Sequence, residues 1–489
     1  MITRVRSLLL TVLAPLSVLA GCAVGPDYQR PESAPPASFN GAAAVAQRST
    51  RQPADLARWW DGFGDPLLSQ LVARSLDENL DIAQAVARVT TARAMLGSAN
   101  AALLPSGTVQ GQATKAHQSI QSPLGRVLNS TPDYDRNGQL YEGNVGASWE
   151  IDLFGGLRRD REAAFSEFQA AQAGAVATRL TIAAQTADTY IAIRGLQARL
   201  AIARQQVKNQ TDLLATIQLQ FDAGVAARLQ LLQTQGALSE VQATIPVLET
   251  ALDSACNALD VLLGVQPGTW RTRLDVDAPI PAAPAILEAG GPASLIRRRP
   301  DLIVAERQLA ASNARIGAAL SEYYPKFSLG GLVGFSTTTG SNVLDGGARQ
   351  AQAVLGLRWR IFDFARVDAE IAAARGRNAE QLARYRLAVL QASEDVENAF
   401  SAVVKREQEV RALAAGEASL SGARDASMAA YQGGVVSLIE VLDADNRLLR
   451  TRDARAQSQA AAARAAVASF KALGGGWNPP DDRAVALAR

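Results

Sequence analysis

The stretch Leu382–Val403, LARYRLAVLQASEDVENAFSAV, carries the pattern that decides the fold of this chain. Its apolar positions are spaced 3,4,3,4,3,4 along the sequence, which is the heptad spacing of a coiled-coil seam. These positions are Leu382, Tyr385, Val389, Ala392, Val396, Ala399 and Val403. The stretch lies inside a longer run, from Lys326 to Asn478, that contains no proline. The pattern therefore predicts a long helix that packs along other helices.

Two such helices are predicted. Residues 366–430 favour one uninterrupted helix, and residues 156–220, in a second proline-free run, favour another. At about 1.5 Å per residue each would be roughly 100 Å long, well beyond the usual helix of a globular domain. Pro246 lies in the shorter helix that follows the first long one, where we expect it to kink the helix or break its hydrogen-bond ladder locally.

The long helices belong to an internal duplication. Each copy is predicted to contain a helix, a strand, a loop, a strand, a long helix, a turn and a further helix. Residues match at an offset of 220 in the first part of each copy and at an offset of 210 in the rest. The matched pairs include Asp81 with Asp301, Pro105 with Pro325, Trp149 with Trp359, and Gly224 with Gly434.

The composition excludes several classes of function. The 489 residues include 49 Lys+Arg against 47 Asp+Glu, one His and two Cys. This balance argues against a nucleic-acid partner, and so few imidazoles and thiols exclude a structural zinc cluster and a disulfide framework. Aromatic residues make up 5% of the chain, which does not suit one thick globular core. We expect no enzyme activity, no catalytic residue and no metal site.

The N-terminus predicts export and lipidation. Residues 1–21 combine a basic start with an apolar run too short to span a bilayer as a helix, which is typical of a secretory signal. The signal ends in LAGC, residues 19–22, which resembles the lipobox of bacterial lipoproteins. That resemblance implies a diacylglycerol and an N-acyl chain on Cys22 as the only attached groups, with no other cofactor. An ordinary signal peptide is the alternative.

Segments between the helices alternate apolar and polar residues. In the first copy Val145, Ala147 and Trp149 share one face, and Asn144 and Ser148 lie on the other. A soluble half-buried sheet gives the same alternation, but the export signal and the long helices favour a transmembrane β-barrel. Four strands per chain cannot close a barrel, so the chain must oligomerise: two copies would supply eight strands and three would supply twelve.

Four sequence runs carry a family resemblance. They are CAVGPDY at residues 22–28, WWDGFGDPL at 59–67, RRRPDL at 297–302 and YYP at 323–325. In this order they resemble the outer-membrane factor family of TolC and OprM, in its acylated, NodT-type branch. The resemblance implies a mainly α fold with membrane β structure: a homotrimer whose twelve-stranded transmembrane β-barrel, four strands per protomer, is continued by a long periplasmic α-helical barrel.

The resemblance also implies a function and partners. The protein would be the passive exit duct of a tripartite efflux pump in the outer membrane of a Gram-negative bacterium, exporting drugs or other small molecules. Its partners would be outer-membrane lipid, a periplasmic membrane-fusion adaptor and an inner-membrane RND-type transporter. The predicted segments are a signal peptide (1–21), an acylated tether (22–58), a first repeat (59–264), an equatorial linker (265–290), a second repeat (291–474) and a C-terminal tail (475–489).

Two turns that follow the long helices are the candidate adaptor contacts. Glycine in each turn suits the left-handed position of a helix C-cap, which by itself is a sufficient structural reason for it. In the family these turns form the periplasmic tip. The residues expected to contact the adaptor are Gly224, Val225, Arg228, Gly434, Val435 and Ser437.

An acidic pair follows the second turn. Glu440 and Asp443 lie three residues apart on one helical face, and two solvated carboxylates near a helix N-terminus would be the plain structural interpretation. Both match an acidic pair that in the family lines the closed periplasmic aperture, where symmetry would make each a ring that favours cations. Val436 departs from the TolC pattern, which has a basic residue there in the network that holds the aperture shut.

Other functions remain open at this stage. A structural stalk lipoprotein would share the lipobox and the long helices, although it would not need four amphipathic strands. A type I secretion system uses a similar exit duct, and the acylated branch favours efflux over secretion by resemblance alone.

Overall fold

The structure, a computed structural model, describes residues 23–32, 37–48, 54–276, 278–286 and 291–478. The predicted signal peptide, the predicted lipidation site Cys22 and the tail from residue 479 lie outside the described residues. The helices are α1 (Ala42–Ala46), α2 (Pro66–Glu78), α3 (Leu80–Ala101), α4 (Pro123–Asn129), α5 (Gly156–Asp222), α6 (Arg228–Leu262), α7 (Arg271–Leu274), α8 (Gly291–Arg298), α9 (Pro300–Ser321), α10 (Phe364–Gln432) and α11 (Leu438–Ala472). The strands are β1 (Ser106–His117), β2 (Asn137–Ile151), β3 (Lys326–Thr337) and β4 (Arg349–Arg358).

The chain forms two compact units. Of the described residues, the first unit combines 23–31 with Thr90–Ala170 and Glu306–Arg384, and it contains the strands. The second unit combines the described residues within 32–89, 171–305 and 385–478. The second unit contains the turns between the long helices and their successors.

The strands pair in an antiparallel sheet with the order β1-β2-β3-β4. The register places Val145 opposite Val109 on one side and Val333 on the other, while Asn144 lies opposite Gln110. Because opposed residues in such a sheet point to the same face, one face is apolar and the other polar, as the alternation predicts. The three valines are between 54% and 81% exposed, so the described part of the chain leaves the apolar face uncovered.

Strand β4 is shorter than the alternation suggests. It ends at Arg358, so Trp359 and Ile361, which continue the apolar pattern, lie beyond it. The indole N–H of Trp359 donates to the carbonyl oxygen of Tyr323 at 3.0 Å. The indole N–H of Trp149 likewise donates to the carbonyl oxygen of Leu103, also at 3.0 Å.

The polar loop of the first copy contains a helix that sequence patterning missed. Helix α4 begins with Pro123, and the hydroxyl oxygen of Ser122 accepts a hydrogen bond from the Gly125 N–H at 3.1 Å. Serine at the N-cap followed by proline at the first helical position is a recognised start signal. Seven residues are too few for periodicity to identify the helix.

Both long helices are confirmed. Helix α5 has 67 residues and α10 has 69, each extending the predicted range by a few residues. The heptad seam is buried as predicted, since Tyr385, Ala392, Val396 and Val403 are at most 1% exposed. Among the described residues, no helix has both the length and the apolar character required to cross a membrane.

Pro246 lies inside α6 without ending it, because the helix runs unbroken from Arg228 to Leu262. Proline lacks the N–H that would bond to the preceding turn, so the ladder loses one donor there. The carbonyl oxygen of Pro246 accepts a hydrogen bond from the Thr250 hydroxyl at 2.8 Å. The proline is therefore accommodated within one continuous helix.

Aromatic residues near the start of the described chain form part of the second unit's core. Trp59 is 1% exposed and stacks on Phe470, with ring centroids 5.5 Å apart. Asp65 caps α2, because its Oδ1 accepts from the Leu67 N–H at 2.9 Å, and its Oδ2 accepts from the Tyr190 hydroxyl at 2.6 Å. Asp65 is therefore the N-cap of α2.

Candidate functional site at the helix-connecting turns

The turn between α5 and α6 is a Schellman motif. Gly224 has a φ of +78°, and its N–H donates to the carbonyl oxygen of Phe221 at 2.9 Å. The N–H of Val225 donates to the carbonyl oxygen of Gln220 at 2.8 Å. This bond pattern requires a left-handed residue at the first position past the helix, which glycine adopts at low steric cost.

The turn between α10 and α11 repeats that geometry. Gly434 has a φ of +73°, and its N–H donates to the carbonyl oxygen of Tyr431 at 2.9 Å. The N–H of Val435 donates to the carbonyl oxygen of Ala430, also at 2.9 Å. The predicted left-handed glycine is therefore present in both turns, and this part of the prediction is confirmed.

Each turn exposes one valine. Val225 is 77% exposed and Val435 is 79% exposed, and Arg228 and Ser437 are also exposed. In many Schellman motifs the residue that follows the glycine packs back on the helix, whereas both valines remain largely exposed here. The turns thus present apolar side chains that the described part of the chain does not cover.

A small apolar cluster joins the two turns within the second unit. It takes residues from α5, from the starts of α6 and α11, and from the first turn. Its buried members are Leu213, Ile217, Ala226, Leu231, Leu438 and Val441. The hydroxyl of Tyr431 adds a bond to Oε1 of Gln220 at 3.3 Å. The cluster fixes the two turns side by side, so their exposed valines belong to one surface, which we call the tip surface.

The acidic pair lies on the first turns of α11. Glu440 and Asp443 are both exposed, as expected for charged groups on a solvent-facing side. The structure adds a partner that the sequence interpretation did not include, because the Asp443 carboxylate lies 2.8 Å from the Arg447 guanidinium one turn later. Arg447 therefore offsets part of the negative charge at Asp443, and Glu440 is the less compensated member of the pair.

A buried carboxylate two residues further on belongs to the same region and was missed by sequence reasoning. Asp445 is 4% exposed, and its Oδ1 accepts from Nε of Arg424 on α10 at 3.0 Å. Its Oδ2 accepts from Nε2 of Gln210 on α5 at 3.3 Å. Asp445 therefore links α11 to both long helices, directly behind the apolar cluster of the tip.

The sequence contained a signal for Asp445. The buried positions of α11 in this region are Leu438, Val441, Asp445 and Leu448, at helical spacings of 3, 4 and 3. An aspartate on such an apolar stripe needs a buried partner, since an unpaired buried charge costs several kcal/mol. Val436 is half-buried and brings no charge, and Arg424 of α10 is the basic group that pairs with the buried Asp445 of α11.

The polar groups of the site do not form a cluster of metal ligands in the part of the chain that the structure describes. Over the described ranges, no group of three or more His, Cys, Asp and Glu side chains is close enough to share a metal ion. The features of the site are instead an exposed apolar tip, exposed carboxylates and a buried interhelical ion pair. Such features suit docking and the control of passage.

Comparisons with known proteins agree with this class of molecule. A family model described as outer membrane efflux protein matches residues 71–265 and 292–475. The pyoverdine export outer membrane protein OpmQ of Pseudomonas putida is 31% identical over 473 residues, covering 95% of this chain and 97% of the relative. Nodulation protein T of Rhizobium leguminosarum bv. trifolii is 29% identical over 462 residues, covering 94% and 96%.

Solved structures agree as well. The outer-membrane channel OprN has a TM-score of 0.83 and 32% identity, covering 93% of this chain and 100% of that one. The CmeC outer membrane channel of Campylobacter jejuni has a TM-score of 0.85 at 21% identity, which supports the fold alone. This chain therefore belongs to the outer membrane efflux protein family. It is an outer-membrane channel component, and the predicted family is confirmed.

Proposed function

We propose that three copies of this chain form the passive outer-membrane exit duct of a tripartite efflux pump. The observation that carries the proposal is the sheet: four strands in sequential order, whose outer edges on β1 and β4 have no partner within the described chain. Unpaired edges are costly in hydrocarbon, so the sheet must continue into other copies. A closed barrel of twelve strands would leave room for a lumen.

The different chemistry of the two faces of the sheet supports a barrel with lipid outside and a polar lumen inside. The apolar face, with Val109, Val145 and Val333, would meet lipid. The polar face would line the lumen, and its side chains bond across strands: Gln350 Nε2 donates to Asn144 Oδ1 at 2.7 Å. Alternating lipid-facing and lumen-facing residues are typical of outer-membrane barrels.

The exposed side of α6 supports assembly of the helices. Leu229, Leu232, Val247 and Val261 are each between 54% and 69% exposed. A helix that is apolar on a second side needs a second helix to cover it. We infer that neighbouring copies cover this side of α6 and that the long helices together form the periplasmic part of the duct.

The duplication explains why the two halves share their elements. Helices α3 and α9 have 22 residues each, and α6 and α11 have 35 residues each. The indole bonds of Trp149 and Trp359 also recur, to carbonyl oxygens 220 residues apart at Leu103 and Tyr323. We infer that both halves descend from one ancestral repeat, and that each half supplies two strands, one long helix and one 35-residue helix to the duct.

The tip surface is the proposed adaptor contact. Gly224, Gly434 and the exposed Val225 and Val435 would meet a periplasmic membrane-fusion adaptor, with Arg228 and Ser437 at the edge of the contact. Exposed apolar side chains without cover are typical of protein interaction sites.

Glu440 and Asp443 would form acidic rings at the aperture.

The efflux assignment draws on the named relatives. OpmQ is named for pyoverdine export, which is export of a small molecule, so small molecules are the proposed cargo here. An inner-membrane RND-type transporter would supply energy, and Cys22 would carry the lipid anchor. A type I secretion duct stays the second candidate, and no catalytic step is proposed in either case.

The test is single-channel recording with the detergent-extracted, full-length protein in planar bilayers. A stable conductance that Glu440→Gln makes less cation-selective is expected. Protein that inserts into the bilayer and forms no ion-conducting pore at any voltage would contradict the proposal.

A further inference from the structure

The N-terminal residues Ala23–Pro31, which we call the anchor segment, lie against the first unit at unusually close range. Gly25 has a φ of +100°, and a Cβ added to it would lie 2.4 Å from the Cα of Gly317 on α9. A Cβ added to Gly317 would lie 2.8 Å from the carbonyl oxygen of Val24. Both positions require glycine, because the two backbones touch directly.

Backbone groups of the anchor segment are held by the first unit. The N–H of Val24 donates to the carbonyl oxygen of Phe154 at 3.1 Å. The Arg159 guanidinium donates to the carbonyl oxygens of Val24 and Gly25, both at 3.2 Å. Nδ2 of Asn313 donates to the carbonyl oxygen of Pro26 at 2.9 Å. These contacts bind the main chain of three consecutive residues.

Arg159 is itself a buried cation, with 6% of its side chain exposed. It pairs with Glu162 at 2.7 Å and with Asp27 of the anchor segment at 2.8 Å. The Asp27 side chain is 89% exposed, so solvent screens this second pair and it contributes little. The main-chain bonds from Arg159 therefore matter more than the ion pair to Asp27.

The side chain of Tyr28, the residue after Asp27, bonds to a buried carboxylate. Glu306 on α9 is 1% exposed, and its Oε1 accepts from the Tyr28 hydroxyl at 2.6 Å. Arg307 donates to both Glu306 oxygens at 2.5 Å and lies 5.8 Å from the Tyr28 ring centroid. Nε of Arg30 is 3.6 Å from Glu306 Oε1.

The charge on Glu306 is stable at neutral pH. Burial alone would raise the pKa of this carboxyl, but hydrogen bonds from Arg307 and Tyr28 outweigh burial, so its pKa lies below the usual 4.5. A lowered pKa means that the stabilising contribution is complete above pH 4.5 and is lost only as the pH falls further. The Tyr28 contact is therefore fully formed under ordinary conditions.

We propose that these residues form a binding groove whose ligand is the mature N-terminus of the chain itself, and that the groove fixes where the lipid-bearing residue sits. Ala23 contacts Gly155, where an added Cβ would lie 2.6 Å from the Ala23 Cα. Cys22 directly precedes Ala23 in the sequence, so docking of the anchor segment limits how far from the groove a lipid on Cys22 can lie. The acylation of Cys22 rests on the proposed function, whereas the groove does not depend on it.

The groove is assembled from both halves of the chain. Arg159 lies on α5 of the first half, while Glu306, Asn313 and Gly317 lie on α9 of the second half. It is complete only after the first unit has folded. Docking of the anchor segment therefore depends on residues from both halves of the sequence.

Limited proteolysis of the detergent-extracted, full-length protein tests this groove. A broad-specificity protease is used, and mass spectrometry follows cleavage between residues 23 and 32. We expect Arg159→Met and Tyr28→Phe to speed this cleavage by about tenfold and by about threefold respectively, because each removes bonds to the segment. Asp27→Asn should change the rate less than twofold, about the limit expected for a screened surface pair.

Arg315→Met is the matched control, since Arg315 pairs with Glu167 in the same unit and does not touch the segment. Unchanged cleavage in both Arg159→Met and Tyr28→Phe, with the remainder of the protein equally resistant, would overturn the proposal. Tyr28→Phe removes only a hydroxyl, so it tests the groove independently if Arg159→Met causes a global folding defect.

Cys22→Ser separates the groove from the lipid. We expect the same resistance of residues 24–31 in this variant, because the contacts are to protein. Loss of protection in Cys22→Ser would mean that lipid holds the segment, which contradicts the groove and leaves the channel function untouched. An unacylated N-terminus in the wild-type protein would instead contradict the proposed lipidation and leave the groove intact.

Discussion

The two helical hairpins, α5–α6 and α10–α11, differ in how their second helices are held. Helices α6 and α11 both have 35 residues and follow turns of the same geometry. In α6 the buried residues follow a single stripe from Leu231 to Leu259, whereas the C-terminal half of α11 is buried on several sides, from Ala456 to Ala472. Two helices of equal length, each following a turn of the same geometry, therefore have different surroundings.

The ion pairs of α6 and α11 also differ. Helix α11 pairs with α5 through Arg464 and Asp188 at 2.7 Å and through Asp453 and Arg199 at 2.6 Å. It also pairs with α10, through Arg455 and Glu417 at 2.7 Å. Helix α6 pairs with α5 through Glu249 and Arg204 at 2.9 Å, and both of those side chains are largely exposed.

From this difference we propose that the two helical hairpins perform different tasks. Helix α11 is fixed inside its own protomer by buried apolar residues and by charges on two neighbours. Helix α6 leaves apolar residues such as Leu232 and Val247 exposed, and these are available to another copy. One second helix holds the protomer together, and we propose that the other joins protomers.

Removing the Asp445 carboxylate should have the largest effect on α11. Asp445→Ala leaves Arg424 and Gln210 without their shared acceptor, and we expect a loss of about 2 kcal/mol because a half-buried cation loses its partner. Thermal unfolding followed by circular dichroism measures it. Asp425→Ala is the matched control, because its 68% exposed side chain also pairs with Arg424. Equal melting temperatures for the two variants would contradict the role of Asp445.

The tip surface tests whether the two turns are equivalent. We expect Val225→Asp and Val435→Asp each to weaken adaptor binding by about tenfold, or about 1.4 kcal/mol, since a charge would enter an apolar contact. Site-specific crosslinking to the adaptor and drug export measure the effect. Leu344→Asp, at an 88% exposed position between β3 and β4, should change neither. Intact export and crosslinking in either valine variant would contradict the docking role of that turn.

A substitution at Pro246 tests whether α6 needs the gap that proline leaves in its hydrogen-bond ladder. Pro246→Ala restores one backbone donor to the helix, and we expect a gain of about 1 kcal/mol, less than the full cost of an interior proline because α6 already accommodates it. The melting temperature should rise, with conductance unchanged. A lower melting temperature would show that α6 requires proline at this position, unlike α11, which has none.

The acidic pair should show the smallest effect. Glu440→Gln should lower the ratio of cation to anion permeability by about twofold, and Asp443→Asn by less, because Arg447 already offsets Asp443. Arg447→Met should raise the ratio. Reversal potentials in asymmetric salt measure all three, and an unchanged ratio in Glu440→Gln would remove Glu440 from the aperture.

Periodic features of the fold were predictable from sequence. The heptad seam from Leu382 to Val403 identified a long helix because burial of every third or fourth residue needs no knowledge of the partner. The strands were predicted for the same reason, by alternation at Val145 and Trp149. Helix α4 was missed because it spans seven residues, and β4 ends at Arg358 although Trp359 and Ile361 continue the alternation of apolar residues.

The site was less predictable than the fold. The glycines of both turns were identified because left-handed backbone favours one residue type. Asp445 and Arg447 were missed because their importance depends on side chains that meet only in three dimensions. The anchor segment was interpreted as a simple tether, since nothing in its composition indicates that Arg159 and Glu306 bind it.

The oligomeric mass of the full-length protein, extracted in mild detergent and measured by native mass spectrometry, tests the central claim most directly. A four-stranded sheet with two open edges cannot stand alone in a membrane, so a mass of three chains is the predicted result. A mass of one chain, in protein that remains folded and membrane-extracted, would contradict the trimeric duct.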